Sequence, residues 1–85
     1  MNPDMTTNLY KTLEVLYDNQ LRVGDKFYCP LGQEDIATIL SCNKMTVNTA
    51  LKKLKETGYI ITSGRRQYSL TEKGNDTVKR AKSIE

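Results

Sequence analysis

Two short helical patterns, separated by a tight break and followed by a hairpin, occupy the stretch from Gln33 to Leu70. The first helix of this pair is predicted to begin near Gln33 and to end at Leu40 or Ser41. Its inward positions are Ile36, Ala37, Ile39 and Leu40. Ser41-Cys42-Asn43 is the break, and Asn43 is suited to cap the next helix. The buried positions of that helix are Val47, Ala50, Leu51 and Leu54, at the three-four spacing of an amphipathic helix.

The second helix is expected to end at Gly58, a typical left-handed stop. Strands are predicted over Ile60 to Thr62 and Gln67 to Leu70, around a turn of Ser63-Gly64-Arg65-Arg66 in which Gly64 supplies the bend. Thr71 then caps a final helix with few apolar positions. These positions are Val78, Ala81 and Ile84.

A longer helix is predicted before this stretch, from about residue 3 to residue 20. Asn2-Pro3-Asp4 has the composition of a helix start. The apolar stripe consists of Met5, Leu9, Leu13 and Leu16. Tyr10 and Tyr17 widen this stripe, either as the edge of the core or as a partner-binding face, and the core edge is favoured. Val23-Gly24-Asp25 breaks the helix, and Lys26 to Cys29, before Pro30, fits a short strand.

The chain has 85 residues, which is enough for one domain spanning residues 1–85. This length lies just above the roughly 70 to 80 residues below which a core usually needs disulfides, metal or a partner. Nearly all apolar residues must therefore serve one small core. A ligand pocket of roughly 300 Å³ or more is hard to fit beside such a core. No small-molecule effector is predicted, and only a dimer interface would have room for an effector site.

Several kinds of site are excluded by composition. Cys29 and Cys42 lie thirteen positions apart and the chain has no histidine, so the common zinc patterns are not met. The cysteines are expected to be small buried hydrophobes. Without a histidine base, a glycine-rich phosphate loop or a recognisable carboxylate pair, the sequence predicts neither an enzyme nor a cofactor. No apolar run approaches the ~18 residues of a membrane span, so a cytoplasmic protein is expected.

Charge is divided unevenly along the chain. Residues 1–40 contain three basic and six acidic side chains, a net charge of −3, whereas residues 41–85 contain ten basic and four acidic ones, a net charge of +6. A basic segment beside an acidic one indicates a polyanion-binding face. Lysines that only solubilise helix surfaces remain the alternative.

The helix after Asn43 has a polar side opposite its buried stripe, and acidic residues are absent from that side until Glu56. Its members are Lys44, Met45, Thr46, Asn48, Thr49, Lys52 and Lys53. Lysine and asparagine can bind purine edges in a major groove, threonine and lysine can bind phosphates, and methyl groups contact thymine. The alternative is a solvated helix surface, which accounts less well for the adjacent basic turn.

Arg65 and Arg66 are predicted at the tip of a hairpin too short to bury them. An exposed arginine pair can enter a narrow minor groove or bind phosphates as planar bidentate donors. An ordinary charged turn is the default for such a pair alone. Together with the preceding helices, the turn favours binding of double-stranded DNA.

Three segments resemble the winged helix-turn-helix of MarR-like bacterial and archaeal transcription regulators. They are Gln33-Glu34-Asp35-Ile36-Ala37, the run from Met45 to Ile60 that contains Leu-Lys-Lys-Leu-Lys-Glu-Thr-Gly-Tyr-Ile, and Tyr68-Ser69-Leu70-Thr71-Glu72-Lys73-Gly74. The resemblance implies an α+β, mainly helical winged helix with a three-helix core, a β-hairpin wing and a C-terminal helix. It also implies that the helix after Asn43 reads DNA, that the hairpin is the wing, and that dimers bind paired half-sites.

Carried over by position, the groove-facing residues of that family fall on Asn43, Lys44, Met45, Thr46, Asn48, Thr49 and Lys52, and the wing-tip arginine falls on Arg65 or Arg66. The function predicted is therefore sequence-specific DNA binding by a small transcriptional regulator. A homodimer is expected, with contacts from the first helix, including Tyr10 and Tyr17, and from Val78, Ala81 and Ile84. The alternative is a winged-helix protein-interaction module that does not read DNA.

Overall fold

The first helix carries the apolar stripe that the sequence predicts. A computed structural model describes residues 7–62 and 67–84, in which α1 spans Thr7–Asp18. Leu9, Leu13 and Leu16 are buried, which confirms those three positions. The predicted start at Asn2-Pro3-Asp4 and the stripe position Met5 lie outside the described residues. The helix ends at Asp18 rather than at about residue 20. At this end, the Val15 carbonyl accepts hydrogen bonds from both the backbone N–H and the side-chain amide of Asn19, at 3.1 and 2.8 Å.

A small antiparallel hairpin follows α1, and sequence reasoning predicted only its second strand. Strand β1 spans Leu21–Val23 and pairs with β2, which spans Lys26–Tyr28, so that Arg22 lies opposite Phe27. Gly24 turns the chain with a left-handed φ of 64°. Leu21 is 51% exposed and Val23 58% exposed. Because neither is buried, β1 leaves no alternation of apolar and polar residues by which it could be recognised.

The helix-turn-helix is confirmed, with α2 spanning Gln33–Leu40 and α3 spanning Lys44–Glu56. Gly32 begins α2 without a side-chain cap, and the Asp35 carboxylate accepts a hydrogen bond from its N–H at 3.0 Å. Ser41 closes α2 in the left-handed region, with a φ of 54°. Ile36 and Ala37 are buried as predicted, but the predicted inward position of Ile39 is wrong, since this side chain is 52% exposed. Leu40 is half-buried and packs against the core, which agrees with its predicted inward position.

A second hairpin continues from α3, after a left-handed Gly58 with a φ of 83°. Strand β3 spans Ile60–Thr62 and β4 spans Tyr68–Leu70, with Ile60 opposite Leu70. These strands confirm the predicted hairpin, although Gln67 lies just before β4. The turn Ser63-Gly64-Arg65-Arg66 lies outside the described residues. A backbone bridge between Cys29 and Tyr68 joins this hairpin to the β1–β2 hairpin.

The core forms where α1, α2, α3 and the start of β3 meet, and the last helix closes it. Helix α4 spans Glu72–Ile84, and the Thr71 hydroxyl accepts a hydrogen bond from the Gly74 N–H at 3.2 Å, which confirms the predicted cap. The most deeply buried side chains are Thr12, Leu13, Leu16, Cys29, Ile36, Val47, Leu54, Tyr59, Ile60 and Val78. Val78 is fully buried, so it belongs to the core of the single chain rather than to a dimer contact.

Tyr10 and Tyr17 are half-buried and pack against the core, which confirms that they form its edge. Cys29 is a buried free thiol, as expected, and Cys42 is half-buried against the core. Burial raises the pKa of the Cys29 thiol above its ordinary value. Among the described helices, none has both the length and the apolar character needed to cross a membrane.

Candidate nucleic-acid interface

Helix α3 presents a polar face to solvent along its whole length. We call this surface the α3 polar face. It consists of Lys44, Met45, Thr46, Asn48, Thr49, Lys52 and Lys53. Thr46 is half-buried and the other six residues are exposed. Met45 is 76% exposed. The opposite side of α3 is anchored by Val47, Ala50, Leu51 and Leu54, all buried in the core. Burial of one side therefore fixes which side faces outward.

Asn43 fixes the first turn of α3. Its side-chain oxygen accepts hydrogen bonds from the Thr46 backbone N–H at 2.7 Å and from the Thr46 hydroxyl at 2.9 Å. An asparagine cap of this kind satisfies one of the N–H groups that a helix leaves without a partner. Asn43 and Thr46, both predicted site residues, thus also have a structural function. Lys53 and Lys55 lie in the last turn, where cations interact favourably with the negative end of a helix.

Two polar contacts connect the start of α2 to the α3 polar face. The Gln33 side-chain amide donates to the Asn48 side-chain oxygen at 3.1 Å. Glu34 pairs with Lys44, with 3.4 Å between Oε1 and Nζ. Both side chains of the ion pair are largely exposed, at 74% for Glu34 and 60% for Lys44. Exposed ion pairs contribute only about 0 to 1 kcal/mol, so Lys44 can exchange this partner for a phosphate at little cost.

Sequence reasoning missed Gln33 and Glu34 as members of the site, because they lie on the neighbouring helix. Their position in the first turn of α2, the helix that precedes the break, is the only signal in the sequence. That signal does not show which residues of α2 lie opposite which residues of α3. Gln33 and Asn48 are fifteen residues apart, and only the packing of α2 against α3 brings them together.

An open groove of about 410 Å³ lies between the start of α1 and the first turns of α3. Its lining residues are Asn8, Leu9, Asn43, Met45, Thr46, Thr49 and Ala50. The lining is uncharged and combines amide and hydroxyl groups with apolar side chains. Asn8 is exposed and was not among the predicted site residues. It extends the polar surface beside Thr46 and Thr49 onto α1.

The acidic side chains of α1 form ion pairs with a lysine of α4. Lys82 pairs with Asp18 at 3.2 Å and with Glu14 at 3.7 Å. The hydrogen bond to Asp18 raises the pKa of the Lys82 ammonium above its ordinary value. Glu14 and Asp18 lie roughly two to three turns farther along α1 than Asn8. These carboxylates are thus separated along α1 from the groove beside the α3 polar face.

The predicted wing arginines, Arg65 and Arg66, lie outside the described residues. Thr62 and Gln67, which flank the segment that contains them, are both exposed. Within residues 7–62 and 67–84, no group of three or more Cys, Asp or Glu side chains is arranged to hold a metal ion. The described part of the site is therefore a convex helix face with a shallow groove beside it.

Residues 9–73 match the family of Crp-like helix-turn-helix domains. The fold is similar to that of a MarR/EmrR family transcriptional regulator from Acinetobacter sp. ADP1, with 22% sequence identity, a TM-score of 0.74, and coverage of 94% of this chain and 52% of that chain. It is also similar to a MarR family protein from Mycobacterium tuberculosis in complex with DNA, with 22% identity, a TM-score of 0.74, and coverage of 94% and 55%.

A third similar structure is the complex of MepR from S. aureus with DNA, with 29% identity, a TM-score of 0.73, and coverage of 95% of this chain and 57% of that chain. These similarities confirm the predicted winged-helix fold. The chain spans about half the length of the solved relatives that it matches. No curated protein matches the sequence.

Proposed function

The chain belongs to the Crp-like helix-turn-helix domains, and from this membership we propose that it binds double-stranded DNA sequence-specifically as a small transcriptional regulator. The observation that carries the proposal is the α3 polar face, which is exposed along about three turns while the opposite side of α3 is held in the core. The major groove of B-DNA, about 12 Å wide, admits one α-helix. Similar folds are seen in complex with DNA in MepR and in the M. tuberculosis protein.

Each side chain of the α3 polar face has a use in that groove. Asn48 and Lys52 can bind purine edges, and the Met45 side chain can contact a thymine methyl group. Thr46, Thr49 and the remaining lysines can bind phosphates. Asn43, whose side chain accepts hydrogen bonds from Thr46, is also among the proposed DNA-binding residues. Arg65 and Arg66 are proposed to contact the backbone or the minor groove from the wing.

A homodimer is part of the proposal. A single module of this kind buries only about 600 to 1,000 Å² on DNA, so two copies are needed for the affinity of a typical regulator. Tyr10, Tyr17 and Ala81 are partly exposed and remain candidates for the contact between copies. The proposal includes no small-molecule effector, cofactor or catalytic activity. The proposal includes a cytoplasmic location.

A salt series tests this function directly. The probe is a duplex selected by the purified protein from a random pool, and binding is followed by gel shift. With about five phosphate contacts, log K is expected to fall against log salt with a slope near −4 to −5. A flat response, or no shift on any duplex at low salt, would support a protein-interaction module instead. The exposed apolar side chains of the two hairpins, Leu21, Val23, Phe27 and Ile61, are the surface that such a module would offer.

A further inference from the structure

The turn that joins α3 to β3, Thr57–Tyr59, is held by the residues that begin α4. The Lys73 ammonium donates to the Thr57 carbonyl at 2.9 Å, and the Thr71 hydroxyl donates to the Gly58 carbonyl at 2.6 Å. The Thr71 backbone N–H donates to the Tyr59 carbonyl at 3.0 Å. Three consecutive carbonyls are thus bound from one segment. Carbonyls at and just beyond a helix C-terminus lack intrahelical partners. The three bonds from Thr71 and Lys73 give these carbonyls the partners that the helix does not supply.

Close packing reinforces the hydrogen bonds. A Cβ atom at Gly74 would overlap the Tyr59 carbonyl oxygen and lie 3.4 Å from the Cβ of Leu70, so only glycine fits there. The Lys73 ammonium lies 4.3 Å from the centre of the Tyr59 ring, within the range of a cation–π interaction. Tyr59 is only 1% exposed. We call Thr71, Lys73 and Gly74 the clasp.

The clasp connects the two elements that the proposed function assigns to DNA. Helix α3 enters the turn Thr57–Tyr59 from one side, and β3 leaves it on the other. The bond between Thr71 and Tyr59 continues the pairing of β3 with β4 by one step beyond Ile60 and Leu70. The clasp therefore acts at the point where α3 is joined to the β3–β4 hairpin.

We propose that the clasp is a positioning device that holds the α3 polar face in register with the β3–β4 hairpin and thereby sets how well the domain distinguishes its target from other duplexes. The inference rests on the proposed function. Base contacts require that the recognition elements be held to within roughly 0.5 Å of the productive geometry. Phosphate contacts made by long, flexible side chains tolerate larger displacements. Loosening the clasp therefore lowers specific binding more than non-specific binding.

Thr71→Val and Gly74→Ala test this proposal. Affinity is measured for the duplex selected by the wild-type chain and for a shuffled duplex of the same composition, at a temperature where circular dichroism shows each variant folded. The ratio of the two affinities is expected to fall about tenfold, comparable to the loss of roughly one base contact. Affinity for the shuffled duplex is expected to stay unchanged. Lys73→Met, which leaves the Thr71 cap of α4 in place, is expected to lower the ratio in the same direction.

Two control variants accompany these. Thr71→Ser keeps the hydroxyl and is expected to keep the wild-type ratio. Thr77→Val removes a hydroxyl that donates only to the Lys73 carbonyl within α4, at 2.8 Å, and is expected to leave the ratio unchanged. Where Gly74→Ala does not fold, Thr71→Val and Lys73→Met decide the question.

Folded clasp variants that keep the wild-type ratio would overturn the inference, since the clasp would then only stabilise the fold. An equal loss on both duplexes, with a shallower salt dependence for Lys73→Met, would also overturn it, because Lys73 would then be a phosphate contact. A wild-type chain that selects no duplex would overturn the proposed function together with this inference. If the wild-type chain does select a duplex but the clasp variants keep the wild-type ratio of affinities, the inference is overturned and the proposed function stands.

Discussion

The side-chain amide of Gln33, the first residue of α2, donates a hydrogen bond to the side-chain oxygen of Asn48 on the exposed side of α3, at 3.1 Å. An amide that binds a base edge must present its donor and acceptor in a defined orientation. The hydrogen bond from Gln33, which lies on α2, restricts the orientation of the Asn48 amide. The contribution of Asn48 to base preference therefore depends on a residue of the neighbouring helix.

Gln33→Ala is expected to weaken discrimination at the base pair read by Asn48. In the Asn48→Ala background the same change is expected to have no further effect, because the group that Gln33 orients is gone. Residues coupled in this way show interaction energies of about 0.5 to 3 kcal/mol in a double-mutant cycle. The measurement is affinity for the selected duplex and its single-base variants. Additive losses that are equal on every duplex would show that Gln33 contacts phosphate instead. Gln20→Ala, just beyond the end of α1, is the matched control.

Asn43→Ala is expected to destabilise the domain by about 1 kcal/mol, since the Thr46 N–H loses its acceptor. For a domain of this size, that loss lowers Tm by roughly 4 to 8 °C, which thermal unfolding followed by circular dichroism can measure. Asn43→Asp preserves the cap and is expected to keep Tm. It places a negative charge beside the α3 polar face, so DNA affinity is expected to fall. An unchanged Tm in Asn43→Ala would contradict the structural function assigned to this residue.

Replacing both wing arginines, Arg65→Ala with Arg66→Ala, is expected to weaken binding to all duplexes by the same factor if the wing binds only phosphate. The salt slope should become shallower by about 1.8 if both residues release counterions. Lys79→Ala with Arg80→Ala removes the same charge from exposed positions of α4 and serves as the control. Equal losses in the two double variants would mean that net charge alone, and not the wing, accounts for the effect.

Cys29 and Cys42 are expected to differ in their reaction with iodoacetamide. Cys29 is fully buried, and its raised pKa keeps the thiol protonated at pH values where an exposed cysteine begins to ionise. Because the folded-state pKa is raised, the stability that the protonated thiol contributes is complete below the unfolded-state pKa and is lost as the pH rises through the folded value. Cys42, which is half-buried, should be labelled first at pH 8, as mass spectrometry can show. In denaturant both should react, and rapid labelling of native Cys29 would contradict its placement in the core.

Sequence periodicity predicted α2 and α3 closely, because burial of one helix side imposes a spacing that is visible in the chain. Leu54 and Val47 are buried where that spacing puts them. Ile39 has the same spacing but lies 52% exposed, whereas Leu40, the last residue of α2, packs against the core. The buried side of α2 is therefore formed by Ile36, Ala37 and Leu40, and Ile39 lies beside it. Strand β1 escaped prediction because Leu21 and Val23 are not buried. Periodicity reports burial and therefore cannot detect an exposed strand.

The candidate site was predictable only where it lies on one element. The α3 polar face follows from the pattern of α3 alone. Gln33, Asn8 and the clasp join the site through contacts between elements that are distant in the sequence, such as Lys73 with Thr57, sixteen residues apart. The segment Leu70-Thr71-Glu72-Lys73-Gly74 belongs to the resemblance to MarR-like regulators. Its physical role became clear only from the carbonyls that it binds.

The most direct test of the central claim compares the affinity of the wild-type chain for its selected duplex with its affinity for a shuffled duplex at one fixed salt concentration. A sequence-specific regulator is expected to prefer the selected duplex by about 10³-fold or more. Thr49→Ala with Lys52→Ala should reduce that preference while the fold, checked by circular dichroism, is retained. Equal affinity of the wild-type chain for both duplexes, or an unchanged preference in the double variant, would contradict the claim that the α3 polar face reads DNA sequence.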